Sequence, residues 1–309
     1  EPVGKNTAAA VGLAASHISR LDPESLMAVL PADHWLEQPV KFNALLQEST
    51  GLAVADFIVT FGASAVRGEP GYGYLQPGKT LTVTGIDCEA YIVESFIEKP
   101  NQRTSSALAE SGRYYWNTGM FLWRTSVLLR EIDLYLPDLG SNLRNIKQAI
   151  GKASEKDVVE RSYARVKAIS LDQGVLEHSK RLVVVPAPIG WSDLGDWNKI
   201  HERSKKTPQD NSFSPAVVDI DSKGTYVYGT TRTIATLGLN NLVVIDTEDA
   251  LLVCPRERTS EVGEIVSRLA ALGNHTADTP ATVQRPWGSY TVLFEGPRFK
   301  VKRVVVQPT

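Results

Sequence analysis

A chain of 309 residues with 33 basic and 35 acidic side chains, a net charge of −2 and 42% hydrophobic residues has the balance of an ordinary globular protein. It is long enough to bury a substantial core in one large domain or two. The lack of a basic block argues against a dedicated binder of nucleic acid or of anionic membrane. Cys88 and Cys254 are the only cysteines, which excludes a disulfide framework and a cysteine zinc site. No apolar run approaches the roughly 20 residues of a membrane helix, and no signal-peptide pattern opens the visible chain. Together these features predict a soluble cytoplasmic protein. The chain begins at Glu1 without methionine and stops in FKVKRVVVQPT while still alternating like a strand, so it reads as a fragment of a longer polypeptide.

In chain order, Thr7 is a plausible N-cap for an Ala-rich helix to about Leu21, with Val11, Ala15 and Ile18 along one face. SLMAVL is a strand, PADH a loop, and a helix follows from about Val40 to Glu48. DFIVTFG is the next strand, and GEPGYGYLQPG, rich in glycine and proline, reads as loop or turn. YIVESFIEKP is a strand ended by Pro100, NQRTSSALAESG is helical, and YYWNTGMFLWR is another strand. Residues 125 to 168 hold two or three helices, with Leu128, Leu129, Ile132 and Leu136 at core spacing. RLVVVP is a last buried strand before GWSDLGDW, and a polar helix runs to about Lys206. This alternation fits an α/β domain with right-handed crossovers.

Composition shifts after KKTPQDNSFSP, a polar linker. Short β-rich segments over 215 to 255 suggest a small β domain, a coil of parallel strands, followed by one amphipathic helix in ERTSEVGEIVSRLAALGN. A second linker, HTADTPATV, leads into further strands from RPWGSY onward. The domains read as 1–206, 212–274 and an incomplete 283–309.

Two apolar runs each deliver an aspartate beyond their end: SLMAVLPADH leads to Asp33, and RLVVVPAPIGWSD leads to Asp193. Continuous Val/Ile/Leu runs suit buried parallel strands, and ligands of open α/β sheets sit outside the carboxyl ends of such strands. Two carboxylates brought there from distant strands would hold one Mg²⁺ against a phosphate. The competing reading makes each aspartate the N-cap of the helix that follows.

FIEKP sets Glu98 beside Lys99 where a strand stops. A lysine there suits phosphate and a glutamate suits sugar hydroxyls, whereas a plain solvated surface pair is the alternative. WNTGM puts Gly119 two residues after Asn117 in an apolar strand, which marks either close approach by a ligand or a bulge. GYGY holds Tyr72 and Gly73 in a weak glycine-rich turn pattern, and EPVGKNTA ends where a helix begins, so its free N–H groups face either an anion or base edge or an ordinary loop. The histidines, His17, His34, His178, His201 and His275, show no metal-ligand spacing, and the DID triplet at 219 to 221 reads as a surface turn.

Taken in this order, EPVGKNTAAA, LPADH, PGYGYL, FIEKP, YYWNTGMFLWR, ISLDQGVLEHS, GWSDLGDW and DALLV resemble the bacterial-type mannose-1-phosphate guanylyltransferases. RPWGSYTVLFEGPRFKVKRVVVQP resembles the junction into the carboxy-terminal cupin-like isomerase domain of their bifunctional members. The resemblance implies a Rossmann-like nucleotidyltransferase domain, here lacking its first strand and glycine-rich loop. A small β-helix-like domain and the first strands of a cupin-like domain would follow. It implies Mg²⁺ held by Asp33 and Asp193, mannose hydroxyls bound by Glu98 and Asn117, a sugar pocket lined by Tyr72 and Gly73, and Lys99 on the sugar phosphate. Glu1, Pro2, Gly4, Asn6 and Thr7 would lie along the guanine and ribose.

The implied reaction is attack of mannose 1-phosphate on the α-phosphorus of GTP, giving GDP-mannose and pyrophosphate. The fragment itself is expected to be inactive without the glycine-rich loop, and no isomerase activity is expected of it. Lys5, Ala9, Ala65, Val66, Gln173 and Gly174 depart from the family pattern, which touches details of base and sugar preference. Rival readings are a non-catalytic sugar-nucleotide-binding regulatory protein and a nucleotidyltransferase for another hexose 1-phosphate. The β-rich segment and the helix near 260 to 272 are candidate contacts of a homodimer.

Overall fold

The computed structural model describes residues 1–230, 232–274 and 282–307, and His275 and the linker around it lie outside the described residues. The chain divides into two compact units, Glu1–Asp193 and Leu194–Thr309, a division that falls one helix before the composition change near 206.

The first unit runs α1 (Asn6–Leu21), β1 (Leu26–Val29), β2 (Trp35–Leu36), α2 (Pro39–Glu48), α3 (Thr50–Val54), β3 (Ile58–Ser64), β4 (Gly73–Thr80) and β5 (Tyr91–Ile97). It continues through α4 (Gln102–Glu110), β6 (Tyr115–Arg124), α5 (Thr125–Tyr135), α6 (Pro137–Ala149), α7 (Glu155–Arg165), a π-helical turn (Asp172–Leu176), β7 (Leu182–Pro186) and β8 (Trp191–Ser192). Six strands form one sheet in the order β1-β6-β3-β7-β5-β4. β7 shows why its sequence is uniformly apolar. Leu182 and Val184 point into one core with α1, α5 and α6, while Val183 and Val185 point into a second core with α2 and α3. A strand covered on both faces has no polar side to present.

Three sequence expectations are corrected. β1 does not have a parallel neighbour; it pairs antiparallel with β6 at the end of the sheet order, and only Met27 within it is buried. The one parallel pairing of this sheet among the described residues is β3 with β7. GEPGYGYLQPG is not all loop, since Gly73–Thr80 is β4, hydrogen-bonded to β5 and β6. Burial of Tyr74 and Leu75 outweighs the poor strand propensity of glycine and proline, and the register shifts at Pro77, which cannot donate to the ladder. Finally, Thr7 does not cap α1: the helix begins at Asn6, and the Thr7 hydroxyl accepts from the Leu171 backbone N–H at 2.8 Å.

In the second unit, α8 (Trp197–Arg203) precedes β9 (Ser212–Phe213), β10 (Val217–Ile220), β11 (Tyr226–Gly229), β12 (Ile234–Leu237), β13 (Leu242–Asp246) and β14 (Leu251–Pro255). β9, β11 and β13 pair in parallel, as do β10 and β12, which is the coil of parallel strands expected of 215 to 255, except that β14 pairs antiparallel with β13. Asn211 ties successive turns, donating to Ser222 O at 2.6 Å and accepting from Thr225 N at 3.0 Å. A 3-10 turn (Arg256–Glu261), α9 (Val262–Ala271) and an antiparallel sheet of β15 (Thr282–Arg285), β16 (Gly288–Gly296) and β17 (Phe299–Val306) complete the unit.

Candidate functional site

β1 and β3 both run antiparallel to β6, and β7 runs parallel to β3, so β1 and β7 point the same way. Their carboxyl ends therefore open on the same edge of the sheet. Beyond that edge the two exiting segments pair again as an antiparallel ribbon, Trp35 opposite Ser192 and Leu36 opposite Trp191. One further step of this register sets His34 opposite Asp193, with Asp33 next along. The Trp191 indole N–H donates to His34 Nδ1 at 3.0 Å, so His34 is held as the neutral ring with its proton on Nε2. Burial pushes the His34 pKa down, while the charges of Asp33 and Asp193 both pull it up.

Neither aspartate caps a helix. α2 starts after Gln38, and α8 is capped by Asp196, whose side chain accepts from the Asn198 and Lys199 backbone N–H groups. The Tyr72 hydroxyl donates to Asp193 Oδ1 at 2.5 Å. Its ring packs edge-on to Trp116 at 5.2 Å and tilted against Trp191 at 5.0 Å. Burial and this bond hold the phenol protonated far above the usual range.

A second group gathers where β4, β5 and β6 meet. Gly73 pairs with Asn117, and a Cβ on Gly73 would stand 2.6 Å from Glu98 Oε2 and 3.2 Å from the Asn117 Cβ. The absence of a side chain at 73 is what lets the Glu98 carboxyl and the Asn117 amide approach. One residue of β3, Phe61, opposes three of β6 between the Thr60–Phe121 and Gly62–Asn117 pairs, so Thr118–Met120 is a bulge with Gly119 at φ +70°. This is the bulge alternative for Gly119, and it begins directly after Asn117, which is still paired with Gly62 and Gly73. Lys99 takes a left-handed φ of +46° at the strand end, donates its backbone N–H to Tyr72 O at 3.2 Å, and sets Nζ 3.5 Å from Glu98 Oε1.

Composition and spacing did not single out Asp172, Glu177 or Thr60. Asn117 Nδ2 donates to Asp172 Oδ1 at 2.8 Å, Thr60 Oγ1 donates to Asn117 Oδ1 at 3.0 Å, and the Glu98 N–H donates to Glu177 Oε1 at 3.2 Å. Asp172 and Glu177 both lie in ISLDQGVLEHS, so that motif carried the available signal. His34 likewise sat beside Asp33 in PADH but lacked any ligand spacing.

The amino-terminal residues divide. Glu1 and Pro2 line a cleft with Leu13, His17 and residues 152 to 160, and the Glu1 carboxylate lies near enough to Tyr163 to help raise its pKa. Gly4 has open space around it, and Asn6 accepts from the Thr7 N–H at 2.8 Å with a left-handed φ of +66°. Lys5, Thr7 and Ala8 join Ile169 and Leu171 through hydrogen bonds of 2.8 to 3.3 Å. The segment from 5 to 8 thus leads directly to Asp172 and the Asn117 group, whereas Glu1 and Pro2 stand apart from it.

Among the described residues no three or more His, Cys, Asp or Glu side chains gather as a metal-binding group. Two hard carboxylates nevertheless match Mg²⁺, which keeps several waters and is completed by substrate phosphate. No helix among the described residues is long and apolar enough to cross a membrane.

The Glu98 carboxyl is pushed up to about 6, chiefly by burial and then by Asp172, against the pull of Lys99. The folded protein therefore holds a proton that the unfolded chain has released. Stability should fall as pH rises from about 4.5 to about 6, because the native state binds more protons across that window. Melting curves of wild type and Glu98→Gln over that range test this: the variant should lose that part of the slope, and an unchanged slope would reject the assignment.

A mixed sheet buried on both faces, with polar side chains converging beyond its strand ends, defines an α/β domain of the nucleotide-binding class. The chain belongs to the nucleotidyl transferase family, whose model matches residues 1–210. The models for the MannoseP isomerase/GMP-like beta-helix domain and the mannose-6-phosphate isomerase C-terminal region match 216–269 and 272–309. The chain is 36% identical over its full length to the xanthan biosynthesis protein XanB of Xanthomonas campestris. It is 37% identical to a mannose-1-phosphate guanylyltransferase of Escherichia coli K12, again over the full chain. It spans 64% and 65% of the length of these two relatives. A crystal structure described as mannose-1-phosphate geranyltransferase from Thermus thermophilus superposes with a TM-score of 0.77 at 30% identity, covering 87% of this chain and 77% of that one.

Proposed function

We propose that the protein carrying this chain transfers the guanylyl group of GTP to mannose 1-phosphate, forming GDP-mannose. A phosphate oxygen of the sugar phosphate bonds to the α-phosphorus as the bond from that phosphorus to the bridging β-oxygen breaks, and pyrophosphate leaves with that electron pair. The observation that carries this reading is the β2–β8 ribbon, whose register sets Asp193 opposite His34 with Asp33 next along. The name of the Escherichia coli relative supports the choice of substrates.

Mg²⁺ bound by Asp33 and Asp193 would neutralise charge on the α-phosphate. Tyr72 holds Asp193 in place, so the carboxylate needs little reorganisation when charge develops. Glu98 accepts from and Asn117 donates to hexose hydroxyls across the gap that Gly73 leaves. Lys99 leaves Glu98 to meet the sugar phosphate, and Gly4, Asn6 and Thr7 lie along guanine and ribose, with Glu1 and Pro2 set apart from that path. The reading includes a cytoplasmic location and pairing of two copies through the β-rich segment and α9, supported by the exposure of Ile265, Val266 and Leu272.

The full-length protein should release pyrophosphate with Mg²⁺ and prefer GTP with mannose 1-phosphate when four nucleoside triphosphates are crossed with mannose and glucose 1-phosphates. No release from any pair would end the enzymatic reading. Lys99→Ala should raise KM for the sugar phosphate about tenfold and leave that for GTP within about twofold, as expected for one lost charge-assisted contact. Equal rises would remove Lys99 from the sugar phosphate.

A further inference from the structure

The amide of Asn117 is held from both ends. Thr60, fully buried, donates its hydroxyl to Asn117 Oδ1 at 3.0 Å, and the Gly119 N–H approaches the same oxygen at 3.4 Å. At the other end Asp172 Oδ1 accepts from Nδ2 at 2.8 Å. An ionised carboxylate only accepts, so this contact allows one orientation of the amide. Nδ2 carries a second hydrogen that has no acceptor among the described residues. The Glu98 carboxylate, an acceptor, stands across Gly73 from this group. Adjacent hydroxyls of a hexose offered to such a pair meet one donor and one acceptor in a fixed order.

We propose that Asp172 is a specificity-determining positioning residue, which locks the Asn117 amide with its N–H toward the sugar and thereby selects among epimeric hexose 1-phosphates. This rests on the sugar site proposed above and adds a role to a residue given none there. Asp172 is itself anchored: the Leu171 N–H before it donates to Thr7, and Ile169 accepts from the Ala8 N–H and donates to the Lys5 carbonyl. Burial raises the Asp172 pKa, and a backbone hydrogen bond, the Asn117 bond and Lys99 oppose that rise. A site that hydrogen-bonds a hydroxyl discriminates strongly because a wrong partner leaves buried groups unpaired.

The test compares wild type, Asp172→Asn and the exchanged pair Asn117→Asp with Asp172→Asn in the full-length protein. Asn at 172 offers either an N–H or a carbonyl, so the Asn117 amide is no longer held one way. KM for mannose 1-phosphate should rise about tenfold, KM for GTP should stay within about twofold, and the preference over glucose 1-phosphate should shrink about tenfold. The exchanged pair restores a donor–acceptor bond with its polarity reversed, so the melting temperature should recover while KM and sugar preference should not.

Recovery of all three would show a merely structural bond and overturn the proposal. An unchanged sugar preference in folded Asp172→Asn would do the same. If that single variant does not fold, Thr60→Val frees the amide from its other end and should give the same loss of preference; an unchanged preference there also overturns it. The side-chain amide proton signals of Asn117 need no turnover, and Asp172→Asn should collapse their separation in wild type. A preserved amide signature would reject the lock, whereas a wild type inert toward every sugar phosphate would reject the function reading instead.

Discussion

Asp193→Asn should lower nucleotidyl transfer by about a thousandfold while leaving the melting temperature within a few degrees of wild type. The substitution keeps the shape of the side chain and an oxygen that accepts from Tyr72, so the 2.5 Å bond and the aromatic packing around it survive. What disappears is one of the two negative charges facing His34. The loss should therefore appear in kcat and in Mn²⁺ affinity measured by electron paramagnetic resonance, not in folding. Near-normal turnover in this variant would remove Asp193 from the metal site and, with it, the main support for the proposed reaction.

Gly73→Ala should be nearly as damaging for a different reason. The new methyl would fall 2.6 Å from Glu98 Oε2 and 2.7 Å from the Phe96 ring, with the Asn117 Cβ at 3.2 Å. No single flexible tip can yield to all three, because Asn117 and Phe96 belong to paired strands on either side. Displacing the two polar groups by about 1 Å is enough to cost about a hundredfold in kcat/KM for the sugar phosphate. Steady-state kinetics with each substrate varied in turn checks this. A variant whose sugar-phosphate kcat/KM stays within a few-fold of wild type would show that the gap at Gly73 is not where the sugar binds.

The strands that sit between two cores were legible because burial on both faces removes every polar residue, and Leu182–Val185 is the plainest case. β4 was not, since Gly73, Pro77 and Gly78 carry the local signature of a turn. The force that makes them a strand comes from Tyr74 and Leu75 packing under β5 and β6, which no local window contains. The partner of β1 was hidden for the same reason, because pairing is a contact between residues about a hundred positions apart.

At the site, Asp33 and Asp193 stood out by following apolar runs, but only the caps at Gln38 and Asp196 separate a ligand-facing carboxylate from a helix cap. The family resemblance supplied roles that pattern alone left open, yet it passed over Asp172. Its partner Asn117 lies 55 residues away, and although WNTGM marked Asn117, nothing local marked Asp172 as its partner.

The β2–β8 ribbon also bears on the order in which the site comes into being. It is two rungs long and joins segments whose bridging hydrogen bond, Trp191 to His34, spans 157 residues. Closing so long a loop costs chain entropy that two rungs of backbone pairing recover only in part. The ribbon therefore depends on an already condensed sheet, with Trp191 buried in the second core and Leu36 packed against it. Competence for chemistry in this protein is thus tied to the integrity of that core, because the segments that carry Asp33 and Asp193 meet through Leu36 and Trp191, which are seated at it.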